Sequence, residues 1–492
     1  MTKVVRYADF GAKGDGKTDD LEAIVKAHEH ANQRGLPVRA DDAATYYIGG
    51  QDKTVVIQTD TDFGKAKFII DDRSVTNIRA PVFLVSSKLE PVAIASVASL
   101  KKGQQKIAAA LPGRCLVTVV NRQVKNYIRL GLNQDSGSSL TDVFLVDAAG
   151  HVDASTPILW DFDPVTSIEA RPVDPTKLTI RGGRFTTIAN AAESKYTYYA
   201  RNISVRRSTV EIVGLEHYIE GEGAHGAPYN GFISIGDCTG VTVRDAVLTG
   251  HKTYRTIGSA GAPVSMGTYD ISINRAMGVA FLNCRQSNDI QDKKYWGIMG
   301  SNYCKNLLYD GCTLSRFDAH KGVCNATIRN STIGHGGINA IGHGTLLVEN
   351  TQVHAGSLIN MRPDYGSTWD GEFIIRNCVF MPTGDANLIS GQNLGQHDFG
   401  YTCHLPRRVT IDGLRIEDAK HPAKYRGPAV FADFNPKLKD PGYVEKYPIV
   451  RPREVLLKNV TTASGQPLRL SDNPVLFRDV KVVLENTKWE RP

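Results

Sequence analysis

The 492-residue sequence has no apolar run long enough to cross a membrane, which excludes a helical span. It has no long Lys/Arg run either. Its net charge of +7 suits an acidic polymer but is too diffuse for a nucleic-acid footprint. Its eight cysteines form no CxxC, so metal and disulfide chemistry give way to packing as their role. A phosphate-binding loop is missing too. Gly11, Gly14 and Gly16 spell neither GxGxxG nor GxxxxGK[ST], and Asp15, Asp19 and Asp20 repel a phosphate. No signal peptide is visible. With 41% hydrophobic and 22% charged residues, the composition is that of a soluble globular protein. The length exceeds one ordinary compact core and implies several domains or an elongated solenoid.

What is present begins with "VVRYADFGAKGDGKTDDLEAI", residues 4–24. Gly14-Asp15-Gly16 is turn chemistry. Thr18 or Asp19 then caps a helix in which Leu21, Ile24, Val25 and His28 share a face, and Gly35 stops it. The stretch "DFGAKGDGKTDD" followed by "AI" resembles the entry motif of the pectate-lyase superfamily, which includes secreted bacterial polysaccharide lyases and phage tailspikes. The resemblance implies a right-handed parallel β-helix, all-β apart from a helix that caps its N-terminal end. It also implies an elongated sugar polymer as substrate and a secreted or periplasmic location. It says little about the reaction, because a fold hosts many chemistries.

From about residue 200 a short pattern recurs: alternating apolar residues, a small or amide residue, then Cys, Ser or Thr. Copies are "VAFLNCRQS", "LLYDGCTLS", "ATIRNSTIG", "LLVENTQVH" and "FIIRNCVFM". Period-two alternation makes each a strand, and recurrence makes the array a solenoid. The amide slot falls at Asn283, Gly311, Asn330, Asn350 and Asn377, in steps of 28, 19, 20 and 27. The short steps leave room for one coil, and the long ones carry inserted loops. Cys284, Cys312, Ser331, Thr351 and Cys378 then form one ladder. Residues 85–175 lack the pattern and read as a β-rich insertion. The expected division is therefore 1–84 (cap and first coils), 85–175 (insertion) and 176–492 (main β-helix with groove loops), with the Pro-rich stretch 429–452 as a loop walling a groove.

The same register aligns His251, Asn288, Arg316, His335 and His354 just after the marker strand. Further on come Tyr254, Arg255, His320, Lys321, Asn339 and Asn360. This polar stripe is read as a substrate groove, set against ladders that only satisfy turns. A uronate lyase needs a base, cations that neutralise a carboxylate, and an acid. His320 or Lys321 fits as base, Arg316 or Arg362 as carboxylate partner, and Tyr365 or His354 as acid. Tyr254, Arg255, His335, Asn339, Asn360, Asp318 and Asp364 are read as substrate-binding, with Trp296 and Trp369 as sugar-stacking platforms or packing residues. A glycoside hydrolase needs two carboxyl groups, for which Asp289, Asp318, Asp364, Asp370 and Glu372 are available. Cations and histidines outnumber carboxylates in the stripe, which favours elimination on an acidic polysaccharide. A non-cleaving, tailspike-like glycan binder is the third class. No metal is assigned and no cofactor expected; calcium stays open, since coil-spaced carboxylates leave no linear signature. A monomer or a homo-oligomer fits equally.

Overall fold

Alternating apolar residues form strands, and these strands pair in parallel. The computed structural model describes residues 4–193, 196–297, 299–421, 423–440 and 442–490; among them the only α-helix is Leu21–Arg34. No helix is long and apolar enough to cross a membrane. The chain forms two compact units, Met1–Val119 with Asp142–Thr256 and Ser265–Gly300, and Val120–Thr141 with Ile257–Val264 and Ser301–Pro492. The pattern boundaries at 84/85 and 175/176 do not delimit these units, because the segment 120–141 packs with residues beyond 300.

In the first unit the helix buries Leu21, Ile24, Ala27, His28 and Ala31 over the strands Val5–Arg6, Val38–Arg39 and Val55–Ile57, leaving Val25 half-exposed. Gly35 ends it at φ 64°, a left-handed turn that glycine adopts without strain. Asp19, one of the two expected caps, accepts the Leu21 N–H (3.1 Å), and Asp20 already has helical geometry. The Asp20 carboxylate accepts the N–H groups of Lys13 (2.6 Å) and Gly14 (3.1 Å), so it ties the glycine turn to the helix instead of capping the first turn. Beyond it, Ile180, Ile212, Val243 and Phe281 stack in register through successive parallel strands. Phe63, Phe68, Phe83 and Phe185 fill the interior, with Phe68 and Phe185 stacked at 4.7 Å. The strands Val92–Ala93, Cys115–Asn126, Ser138–Val146 and Ser167–Pro172 make a separate sheet.

A fully buried ionic cluster also lies in this unit. Asp270 accepts from His217 (2.7 Å) and from His251 (3.1 Å), and Glu222 sits 3.5 Å from His251. Burial opposes charge on His251, but the hydrogen bond to Asp270 and the nearby Glu222 carboxylate outweigh it and lift the imidazole to about 9. Burial keeps His217 below its ordinary value, and the two histidines hold the Asp270 carboxyl far below its own. A histidine raised on folding contributes stability that is complete below its unfolded value, about 6.5, and lost as pH rises through the folded one. The melting temperature is therefore expected to fall between pH 6.5 and about 9. Calorimetry of His251→Gln across that window should show the fall flattened.

In the second unit three strands per coil stack in register. One column runs Tyr309, Ile328, Val348, Ile375, Ile411, Leu457 and Leu484. A second runs Leu314, Ile333, Val353, Phe380 and Ile416. The third contains Phe317, Ile338, Ile359, Ile389 and Phe431, so Ala429–Phe431 of the expected Pro-rich loop is in fact a coil strand. Gly311, Asn330, Asn350, Asn377, Gly413, Asn459 and Asn486 all have φ between 47° and 76°. The amide slot is thus a left-handed corner, where Gly and Asn are the residues that fit. The Asn amides hydrogen-bond from coil to coil, Asn350 to Asn330 and Asn486 to Asn459. Beside this corner Cys312 N–H donates to Ser331 Oγ and Ser331 N–H to Thr351 Oγ1. All eight cysteines are buried and free.

Candidate functional site

The strand Thr313–Arg329 carries Arg316, Asp318, His320 and Lys321, and its neighbours bring the rest. After the strand Gln352–Met361 the chain turns sharply through Pro363–Tyr365, which sets Arg362, Asp364 and Tyr365 beside His320. Asp318 is fully buried and accepts from Arg362 (3.0 and 3.1 Å) and from Arg316 (3.0 Å). Asp364 accepts from Arg362 (2.9 Å) and from Arg129 (2.9 Å). Burial would raise the Asp364 carboxyl, but the two guanidinium groups pull it below its ordinary value. Both guanidinium groups also lie over the Tyr365 ring, at 5.4 and 5.6 Å.

His320 Nδ1 sits 2.9 Å from Asn302 Oδ1. An amide oxygen only accepts, so this contact suits an imidazole with its proton on Nδ1 and its lone pair on Nε2. Burial, reinforced by Arg362, depresses the imidazole to about 3, so it is neutral at physiological pH. Lys321 donates to Ser138 (2.9 Å) and is likewise lowered, mainly by burial. Around these groups four cations, Arg129, Arg316, Lys321 and Arg362, face three carboxylates, Asp135, Asp318 and Asp364. Among these named groups one positive charge is in excess, which a single entering anion would neutralise.

The register extends the site along the unit. Asp318, Asn339, Asn360 and Ser390 occupy one column in successive coils, joined by hydrogen bonds from Asn360 to Asn339 (2.8 Å) and from Ser390 to Asn360 (3.1 Å). Next to this column is a groove of about 320 Å³ lined by His335, Asn339, Ser357, Asn360, Asn387 and Ser390. Neighbouring strands lie roughly 4.8 Å apart, so the charged cluster and the amide groove follow one another directly. Gly336 is required there: a Cβ would come within 2.7 Å of Arg316 Cβ.

Of the residues expected at the site, His320, Lys321, Arg316, Arg362, Tyr365, Asp318 and Asp364 come together, and His335, Asn339 and Asn360 line the adjoining groove. Tyr365 is fully buried, so it floors the cluster rather than facing a ligand; its hydroxyl has no hydrogen-bond partner among the described residues. His354 pairs in register with Met381, six residues before Asn360, away from His320. Trp369 is no sugar platform: it is fully buried, its Nε1 donates to Gly344 O (2.9 Å), and it packs on Phe373. Tyr254, Arg255 and Trp296 belong to the first unit. There Tyr254 is buried with its hydroxyl on Tyr198, Arg255 is exposed, and the Trp296 indole covers Gly267. His251 is spent in the buried ionic cluster. Among the described residues no group of His, Cys, Asp and Glu is arranged to hold a metal ion.

Sequence reasoning missed Tyr127, Arg129, Ser138 and Asn302. The first three come from the segment 120–141, outside the repeat. Asn302 left a signal: it lies 19 residues before Lys321, one short coil step, and pairs with it.

No protein-family model matches the chain. A curated relative, the capsule KL64-specific depolymerase of Klebsiella phage P510, is 28% identical over 120 residues, which is 20% of this chain and 12% of that protein. The match thus spans far less than two thirds of that relative. Solved structures of similar fold include the tailspike gp61 of Pseudomonas phage phi297, with TM-score 0.56 and 15% identity over 98% of this chain and 84% of that one. The gp49 tailspike of Pseudomonas phage LKA1 gives 0.51 and 14% over 97% and 84%. The Gp54 tailspike of Acinetobacter baumannii bacteriophage AP22, solved with an A. baumannii capsular saccharide, gives 0.51 and 11% over 97% and 79%. At these identities the likeness is one of fold.

Proposed function

We propose that the chain is a carbohydrate-active, depolymerase-like member of the pectate-lyase superfamily, wound as a right-handed parallel β-helix, that cleaves an acidic polysaccharide by β-elimination. On this reading it is secreted or periplasmic, and 85–175 is an insertion contributing Arg129 to the site. The feature that carries the reaction is His320, a neutral imidazole whose contact with Asn302 leaves Nε2 for the lone pair, set among cations. The proton it takes from the carbon beside the carboxylate can pass from the imidazolium to the leaving oxygen as the C–O bond breaks and the double bond forms. Arg129, Arg362 and Lys321 would receive the uronate carboxylate, and the adjoining Asn339, Asn360 and Ser390 column would receive the next sugars. Entry of that anion lifts the imidazole from its depressed value toward the range of a working base. Asp318 and Asp364 are each held by two guanidinium groups, which leaves neither free to act as a proton donor to a leaving oxygen. The capsule depolymerase and the saccharide-bound tailspike agree with a glycan as ligand.

Hydrolysis is the second reading, and it has a location of its own. A cleft of about 570 Å³ is lined by Asp370, Glu372, Arg407, Arg408, Glu454 and Lys481. Asp370 and Glu372 alternate onto one face of their strand, with their backbones roughly 6.6 Å apart along it, so the two can hold their carboxyl groups at the spacing of an inverting pair, about 6.5–9.5 Å.

The discriminating assay incubates the protein with hyaluronan, chondroitin sulfates, pectins, alginate, bacterial capsules and neutral glycans, recording ultraviolet absorbance and reducing ends together. Elimination is expected to raise both. Reducing ends without absorbance, abolished by Glu372→Gln, would establish hydrolysis instead. Retention of a glycan on an affinity column without any cleavage would leave only a binding role.

A further inference from the structure

We propose that Asn302 is a positioning residue that fixes His320 as the Nδ1–H tautomer and so presents Nε2 for proton abstraction. This rests on the reading of His320 as the base. The backbone around Asn302 departs from regular coil geometry in a way that serves this contact. A register shift falls between Ser301 and Asn302, and Tyr303 is held at φ 53°, a left-handed conformation that a bulky residue adopts only under constraint. Three contacts over-determine the segment. Ser301 Oγ donates to Asp318 O (2.7 Å), the Tyr303 ring meets Tyr127 edge-on at 5.8 Å, and Asn302 pairs with Lys321. The result is an amide oxygen 2.9 Å from Nδ1 of a histidine on the adjacent coil.

The chemistry of the neighbours explains why an amide, and not a carboxylate, occupies this place. His320 is faced by Asp318 and Lys321 from its own strand, by Arg362, Asp364 and Tyr365 from the sharp turn, and by Arg129 from the segment 120–141. A carboxylate at 302 would favour the imidazolium and cost the lone pair. An apolar residue would leave the tautomer undecided. A neutral acceptor does neither.

The test uses the full-length protein labelled with 15N-histidine, in which the His320 signals among the 13 histidines are assigned by difference from His320→Gln. The ring nitrogen shifts of the wild type should report Nδ1–H at pH 7, and Asn302→Ala should give a mixture of tautomers. On the glycan identified by the cleavage assay, Asn302→Ala should lower kcat about tenfold to a hundredfold, taking the range known for partners that orient metal-bound imidazoles, with KM little changed. Asn302→Asp should restore part of kcat relative to Ala and move the acid limb of the rate profile to higher pH. An Nε2–H tautomer in the wild type, or a tautomer unchanged in Asn302→Ala, overturns the proposal. If the tautomer is as stated but His320→Ala retains full turnover, the positioning stands and the assignment of the base falls.

Discussion

Replacing His320 by alanine is expected to lower turnover on the cleaved glycan by about 10²- to 10⁴-fold, the usual worth of a proton-transfer group, while the melting temperature changes little. The side chain lies at the edge of the polar cluster, half-buried, and among the described residues it hydrogen-bonds to Asn302. It contributes no apolar surface to the coil columns. A loss of only a few fold would reduce His320 to a binding group and move attention to Lys321, whose ammonium, already lowered by burial, is the next base in reach. Arg362→Met should behave differently from His320→Ala. It removes the partner shared by Asp318 and Asp364, each of which keeps one guanidinium, Arg316 or Arg129, so a lower melting temperature and lost turnover should appear together in that variant.

The largest effect on stability is expected in the first unit, from Arg201→Met. Arg201 and Asp72 are both fully buried; the guanidinium donates to Asp72 (3.2 Å) and to Gly49 O (2.7 Å). Burial pushes the Asp72 carboxyl up to about 7 even against the attraction of Arg201. Without the arginine the carboxylate has no counter-charge, and breaking a buried pair from one side costs about 3–5 kcal/mol. An acid whose folded value lies above its unfolded value loses stability as pH rises between the two. The deficit should therefore be larger at pH 8 than at pH 5 when both proteins are unfolded with denaturant. An equal deficit at both values would show that lost packing, not stranded charge, is the cause.

The stacked strands were legible from the sequence because a period of two and a coil step near 20 are properties of single segments. Cys312, Ser331 and Thr351 line up as their positions in the repeat require. The site was legible only where it lies on those strands. His320, Lys321 and Arg316 follow from the register, whereas Arg129 and Tyr127 reach the cluster from a segment with no period. For Trp369 the sequence left stacking and packing open, and burial in the strand, with its indole N–H on Gly344 O, decides for packing. The cap at Asp19 was legible because it is local, whereas the hold of the Asp20 carboxylate on the turn at Lys13 and Gly14 has no signature in the capping pattern.

The left-handed corner in the second unit has a consequence for how such a chain can change. With φ and the side-chain ladder set at Asn330, Asn350 and Asn377, one edge of every coil keeps the same geometry whatever its length. Insertions and deletions are thereby confined to the other two corners, where the sharp turn at Arg362–Tyr365 arises. The asparagine edge acts as a binding spine, and the opposite edges are pages that can be rewritten singly. New ligand preferences can then be acquired by exchanging one loop at a time, with the hydrogen-bond register of the remaining coils undisturbed.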